Sequence, residues 1–217
     1  RIVVKRYRYF FMLVVLQVCA ASAHAGLTFY GSSDRVAFDA ATVISIVETF
    51  DSVTPKDTAL ASFVSQGVTY APAGAATNVW VTGKAYNNFS VPVPAGASVL
   101  TATGNEDFTV AMTFASPVTA VGFDTYLNDY GPVTVQVLND DGWTSTSLDH
   151  DPQMVGFFGV TSSSPIATVR WTAVGGQTVN TGIDNVQIGV VPAPAAALLG
   201  LLGLGTAGLK LRRRKNA

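Results

Sequence analysis

Between residues 26 and 190 the apolar positions recur on every second residue in short runs, and clusters of Gly, Asn, Asp, Ser and Pro separate the runs. In residues 108–114 the side chains of Phe108, Val110, Met112 and Phe114 alternate with small or polar ones, so they share one face of a strand. Residues 118–127 repeat the pattern through Val121, Phe123 and Thr125, and residues 132–138 repeat it through Val133, Val135 and Val137. The quartet Asn139-Asp140-Asp141-Gly142 then predicts a hairpin turn with Asp-Gly at its end. Residues 166–172 place Ala167, Val169 and Trp171 on one side and Thr168 and Arg170 on the other. In residues 183–190, Val186, Ile188 and Val190 are expected to face inward. Weaker strands are predicted at 43–50, 67–71, 78–82 and 97–101. A short helix over 40–47 is the one plausible exception, and its β-branched residues argue against it.

About ten or more short strands at this spacing predict two packed antiparallel sheets, a single all-β sandwich or jelly roll. No internal repeat and no second domain show in the pattern.

The two ends break the alternation. Residues 1–9 are basic, residues 10–21 are an apolar run, and Ala23-His24-Ala25 presents small residues ahead of Gly26. That order predicts a signal peptide over 1–25, cleaved between Ala25 and Gly26, because the run is well short of the ~20 residues a membrane span requires. Residues 191–217 form a tail of three parts: Val191-Pro192-Ala193-Pro194, an apolar run over 195–209, and a basic cluster containing Arg212, Arg213 and Arg214. A helix over the apolar run would reach about 22 Å, less than the ~30 Å hydrocarbon core. The cations directly after it would stay cytoplasmic, leaving residues 26–190 outside.

Charge sharpens this division. The chain has 13 basic and 14 acidic residues among 217, a formal net charge of −1. Only Arg35, Lys56, Lys84 and Arg170 lie in the body, against all 14 acids, so the body carries 4 − 14 = −10. Such a surface disfavours nucleic acid and anionic membranes and favours divalent cations. The single cysteine, Cys19, lies in the signal segment, so no disulfide is expected in the body.

Candidate chemistry is sparse. Asp51 follows an early apolar strand and Asp184 lies in the last one; in jelly rolls the first and last strands often run side by side, so these two could share a structural calcium. The alternative is that Asp51 caps a turn and Asp184 bonds nearby backbone. Asp149-His150-Asp151 contains the body's one histidine, and no serine lies in a Gly-x-Ser-x-Gly elbow, so no enzyme is expected. Tyr126, Tyr130 and Trp143 lie next to turn residues and could form a sugar-stacking platform; the competing reading is that they cover the sandwich ends.

The tail resembles the sorting region of PEP-CTERM proteins, a family of exported bacterial proteins, through Val191, Pro192 and Pro194, the apolar run and Arg212 to Arg214. Ala193 stands where that family usually has Glu. The body resembles the sandwich domains that often precede such tails, through Glu48-Thr49-Phe50-Asp51-Ser52, Phe157-Phe158-Gly159-Val160 and Gly182-Ile183-Asp184-Asn185-Val186. The resemblance implies passage through the secretory machinery, transient anchoring in the cytoplasmic membrane, recognition by an exosortase, and a final place at the cell surface or outside the cell. It also implies a link to exopolysaccharide or biofilm matrix, with a carbohydrate-binding module as the alternative function.

Overall fold

Strand pairing joins every β-element of the described chain into one antiparallel network, and two unusually long strands turn that network into a sandwich. A computed structural model of the protein describes residues 26–74, 76–82, 89–103, 108–127, 132–173 and 182–193. The signal segment 1–25, Tyr130 and the tail from Pro194 through Arg212, Arg213 and Arg214 lie outside the described residues.

The strands are β1 (Leu27–Tyr30), β2 (Val43–Glu48), β3 (Phe63–Ser65), β4 (Val68–Gly74), β5 (Asn78–Thr82), β6 (Val99–Thr103), β7 (Phe108–Tyr126), β8 (Val133–Asn139), β9 (Gly142–Leu148), β10 (Gly156–Ala173) and β11 (Gly182–Val190). One short helix, α1 (Arg35–Ala41), lies between β1 and β2. The helix weighed over 40–47 does not form there, as its β-branched residues argued: the helix stops at Ala41 and Val43–Glu48 is the strand expected over 43–50. Thr42 is extended, and the β-branched residues after it enter β2, as their side chains prefer.

The segments 108–114 and 118–127 are not separate strands but the two halves of β7. Its first half pairs with β4 and with the second half of β10; its second half pairs with β11 and with the first half of β10. The register of β7 with β10 shifts between Thr161 and Thr168. Pro117 of β7 and Pro165 of β10 lie at this break, where a residue without an N–H leaves no ladder bond unmade. The result is two layers that share β7 and β10. Layer A runs β3-β4-β7-β10-β8-β9; layer B has β10 and β7 beside β11, with β1, β2, β6 and β5 around them.

The core lies between the layers. Val110, Met112, Val135, Val137, Val169 and Trp171 of layer A face Val121, Phe123, Phe158, Val160, Ile183, Val186 and Ile188 of layer B in one buried cluster. Phe123 and Trp171 meet across it with ring centroids 5.9 Å apart. Burial of each such side chain is worth about 1.5–3 kcal/mol. Two inward assignments fail. Val190 is 47% exposed at the end of β11, and Ala167 is turned out by the bulge that separates Ile166 from Thr168.

Two turns follow from sequence chemistry. Asp140 and Asp141 link β8 to β9, with Gly142 at φ +103° and Asn139 Oδ1 accepting from the Asp141 N–H at 3.1 Å. Gln66 and Gly67, both at positive φ, close the β3–β4 hairpin.

Candidate functional site

The outer face of layer A is an open antiparallel surface, and the register shows what stands on it. Along β8 burial alternates strictly, with Val133, Val135, Val137 and Asn139 inward and Thr134, Gln136 and Leu138 outward. Directly opposed residues of an antiparallel pair share a face. The row through Leu138 therefore runs Trp143, Leu138, Thr168, Thr113, Thr69 and Val64, across six strands. The next row runs Ser145, Gln136, Arg170, Ala111 and Ala71. Trp143 is 45% exposed, Val64 is 70% exposed, and Thr69 and Thr113 are exposed.

Trp143 is held in a defined orientation. The guanidinium carbon of Arg170 lies 4.1 Å from the centroid of its ring, a cation–π contact that covers one face of the indole. Arg170 is fixed in turn: its Nε donates to Gln136 Oε1 at 2.7 Å, and Gln136 Nε2 donates to Ser145 Oγ at 3.1 Å. A polar ladder thus crosses β10, β8 and β9 beneath one exposed aromatic. The expectation for Tyr126 fails. It ends β7 with only 3% exposure, packed against Phe89 with ring centroids 5.8 Å apart, so its face is not available for stacking. Burial, then the carboxylates of Asp184 and Asp124, push its hydroxyl up to about 12.

The other predicted pair lies on layer B. β2, the strand before Asp51, is a neighbour of β11, with Glu48 opposite Val186, although the first strand, β1, pairs with β10 instead. Asp184 is 4% exposed, and its Oδ1 accepts from the Asn185 N–H at 2.6 Å. Burial is the main cause that pushes its carboxyl up to about 7; Asp51, Asp124 and Glu48 add to the rise, and the Asn185 bond opposes it. Asp124, opposite Asp184 in the β7–β11 register, is neutralised separately: Arg35 Nη1 donates to it at 2.5 Å and Asn185 Nδ2 at 2.8 Å. Among the described residues no three His, Cys, Asp or Glu side chains are grouped to hold a metal ion. A calcium ion at Asp51 and Asp184 would need backbone carbonyls for most of its roughly six to eight oxygens.

Glu48 is the buried acid that sequence reasoning did not single out. It is 4% exposed; its Oε1 accepts from the Phe50 N–H at 2.6 Å, and its Oε2 accepts from the Ser65 hydroxyl. This holds Phe50, fully buried, in a left-handed conformation at φ +58°. Its role is structural. His150 is occupied as well, with Nε2 2.8 Å from Thr125 Oγ1 and Nδ1 2.9 Å from the Asp151 carbonyl.

Val191, Pro192 and Ala193 extend past β11 without regular structure, and the Val191 N–H donates to Thr119 Oγ1 at 2.8 Å. At the other end Gly26 precedes β1, its N–H donating to Ser163 Oγ at 3.1 Å. Among the described residues no helix is long and apolar enough to cross a membrane.

Fold and face together define the class: an all-β, two-layer antiparallel sandwich with one exposed sheet surface. No protein-family model and no curated protein matches the chain. Solved structures similar to it include a mutant of the carbohydrate-binding module CBM29-2 complexed with mannohexaose, at 13% identity and TM-score 0.40, over 70% of this chain and 99% of that one. The CBM22-1 xylan-binding domain from Paenibacillus barcinonensis Xyn10C is similar at 17% identity and TM-score 0.41, over 71% and 98%. The K2 cleaved adhesin domain of Lys-gingipain is similar at 12% identity and TM-score 0.47, over 66% and 96%.

Proposed function

We propose that the chain is a non-catalytic polysaccharide-binding domain, exported from the cell, anchored transiently by the tail, and finally placed at the cell surface or outside the cell. The observation that carries this reading is Trp143: an indole 45% exposed on an open sheet face, with Arg170 stacked on one side and the rest of the ring free to meet a ligand. Apolar C–H faces of sugar rings pack on such a surface, while hydroxyls find partners in the Gln, Ser and Thr side chains around it. A non-catalytic role is supported by the surroundings of His150, the one histidine of the body: the hydroxyl that its Nε2 meets at 2.8 Å belongs to Thr125, which is fully buried and out of reach of a substrate.

Affinity electrophoresis through gels containing neutral and acidic polysaccharides tests the reading. At least one polymer should retard the protein, and Trp143→Ala should abolish the retardation with little change in melting temperature. If no polymer retards the protein, or Trp143→Ala is retarded equally, the reading fails.

Export and sorting rest on the sequence of the ends. The signal segment over 1–25 and the tail over 191–217 support delivery through the secretory machinery and recognition by an exosortase, with exopolysaccharide as the partner at the surface. Mass spectrometry of the mature C-terminus in each cell fraction is the check. An intact Arg212-Arg213-Arg214 end in the membrane fraction would contradict processing.

A further inference from the structure

We infer that the polymer taken by the open face is acidic, a uronate-bearing or otherwise carboxylated polysaccharide whose carboxylate is met by Arg170 while Trp143 stacks on a neighbouring sugar ring. This rests on the polysaccharide-binding reading above and adds the chemical class of the ligand.

The placement of charge carries it. Of the four cations in the body, Lys84 lies outside the described residues, Arg35 is paired with Asp124 and Asp39, and Lys56 Nζ bonds Ser98 Oγ at 2.5 Å. Arg170, like Lys56, has no carboxylate within 4.0 Å among the described residues, since both ion pairs belong to Arg35, but of these three cations it is the one that stands on a strand of the open face. Its surroundings on the sheet are uncharged. The residues in register with it on either side are Gln136 and Ala111, and the adjacent row offers Leu138, Thr168 and Thr113. A body of formal charge −10 thus presents a sheet face whose central rows contain no acid and whose one charge is an arginine. The acids nearest in sequence to Trp143, Asp140 and Asp141, sit at the tip of the β8–β9 turn, beyond its row; those farther off are screened beyond about 8 Å at physiological salt, so on these rows Arg170 is the charge that a ligand meets.

The geometry of Arg170 suits that task. Among the described residues only Nε is used, by Gln136, and the guanidinium plane is set by the Trp143 ring 4.1 Å away. The Nη groups supply the remaining donors in a planar fork that fits a carboxylate. Because two contacts already order the side chain, little conformational freedom remains to be lost when a ligand binds. A neutral long side chain could cover the indole equally well; what the guanidinium adds is charge.

The test compares an acidic polymer with its own carboxyl-reduced form, so that linkage and sugar configuration stay fixed. Polymannuronate and polygalacturonate serve as probes, titrated calorimetrically into the full-length protein in low and high salt. A charge-assisted contact should make an acidic form bind about tenfold more tightly than its reduced form. That ratio should shrink in high salt, fall to about one in Arg170→Gln, and partly persist in Arg170→Lys. Because the readout is a ratio of affinities within each variant, a general weakening of the face does not mimic it. Equal binding of acidic and reduced forms, lost from both in Trp143→Ala, would overturn this inference and leave the polysaccharide reading standing. Binding of neither form, with no retardation by any neutral polymer, would remove both.

Discussion

Asp184→Asn offers a sharp test of the layer B site, because the carboxyl is buried and its equilibrium is displaced in a known direction. In the unfolded chain an aspartate titrates near 3.8, whereas here the group is pushed up to about 7. The native state therefore binds more protons than the unfolded state between about pH 4 and pH 7, and stability falls as pH rises through that window. Below it both states are protonated, and above it the loss is complete. At about 1.4 kcal/mol per pH unit, a shift of about three units sets a ceiling near 4 kcal/mol. Relaxation around the ion reduces this to about 2 kcal/mol. Asparagine keeps the oxygen that accepts from the Asn185 N–H at 2.6 Å and cannot ionise. In urea unfolding followed by tryptophan fluorescence, Asp184→Asn should match the wild type near pH 4 and exceed it by about 2 kcal/mol at pH 7.5. Parallel pH–stability curves for the two proteins would refute the assignment. The same variant tests the calcium proposal. An ion held by Asp51 and Asp184 would keep the carboxylate charged and raise the wild-type melting temperature at pH 7.5, but not that of Asp184→Asn. Equal wild-type melting temperatures in calcium and in chelator would end that proposal.

Two further substitutions probe the packing that positions both faces. A Cβ on Gly159 would sit 2.8 Å from Phe38 Cδ2 and 2.9 Å from Phe157 Cε1, so Gly159→Ala should cost about 1–3 kcal/mol through displacement of Phe38; a melting temperature equal to wild type would contradict the fit. Among the described residues the buried Tyr70 hydroxyl has no hydrogen-bond partner, while its ring stacks on Phe63 at 4.9 Å and meets Phe50 at 5.2 Å. Tyr70→Phe should therefore be neutral or stabilising by about 1 kcal/mol in urea unfolding, and a loss of that size would reveal a partner for the hydroxyl near Glu48.

What the sequence made legible follows the range over which each interaction acts. Alternation is local, so the strand over 78–82 and the strands covering 133–138 and 183–190 lie where period two places them. The break read at Ala115-Ser116-Pro117 is a bend inside one strand, because a proline at a bulge ends the alternation without ending the backbone ladder. A rule about first and last strands pairs Asp51 with Asp184; the first strand, β1, pairs with β10, and it is the second, β2, that lies beside β11. The partners of that site did not follow. Asp124 and Arg35 arrive through β7 and α1, and nothing near Asp184 in sequence points to them. Likewise Trp143 and Arg170, 27 positions apart, meet only because β8 lies between their strands and fixes the register of both. Tyr126 shows the converse error: turn residues follow it, but it closes a strand whose end is packed under Phe89.

The two outer faces of the sandwich receive opposite treatment, and the contrast explains where a ligand would be met. On layer B the opposed glycines Gly122 and Gly159 leave a flat recess, and Phe38 from α1 fills it, edge-on to Tyr30 at 5.5 Å and to Phe157 at 5.3 Å. The Arg35–Asp124 pair and the guanidinium over Phe157, 4.5 Å from its centroid, pin the same helix down. Around that recess the face is closed by the protein itself, while Val47 of β2, opposite Gln187, stays 51% exposed. Layer A shows the reverse pattern: small and β-branched polar residues keep its outward rows level, as a solvated antiparallel sheet requires, and the largest outward rings and charge are gathered toward the β8–β9 hairpin. A level surface with one oriented aromatic and one oriented cation suits an extended chain laid across the strands better than a compact ligand, which needs a concave site. Enlarging the level rows is therefore the informative direction for engineering. A bulky side chain at Thr113, on β7 beside the β10 strand of Arg170 and three strands from Trp143, would obstruct an extended polymer while leaving a short oligosaccharide at Trp143 unaffected.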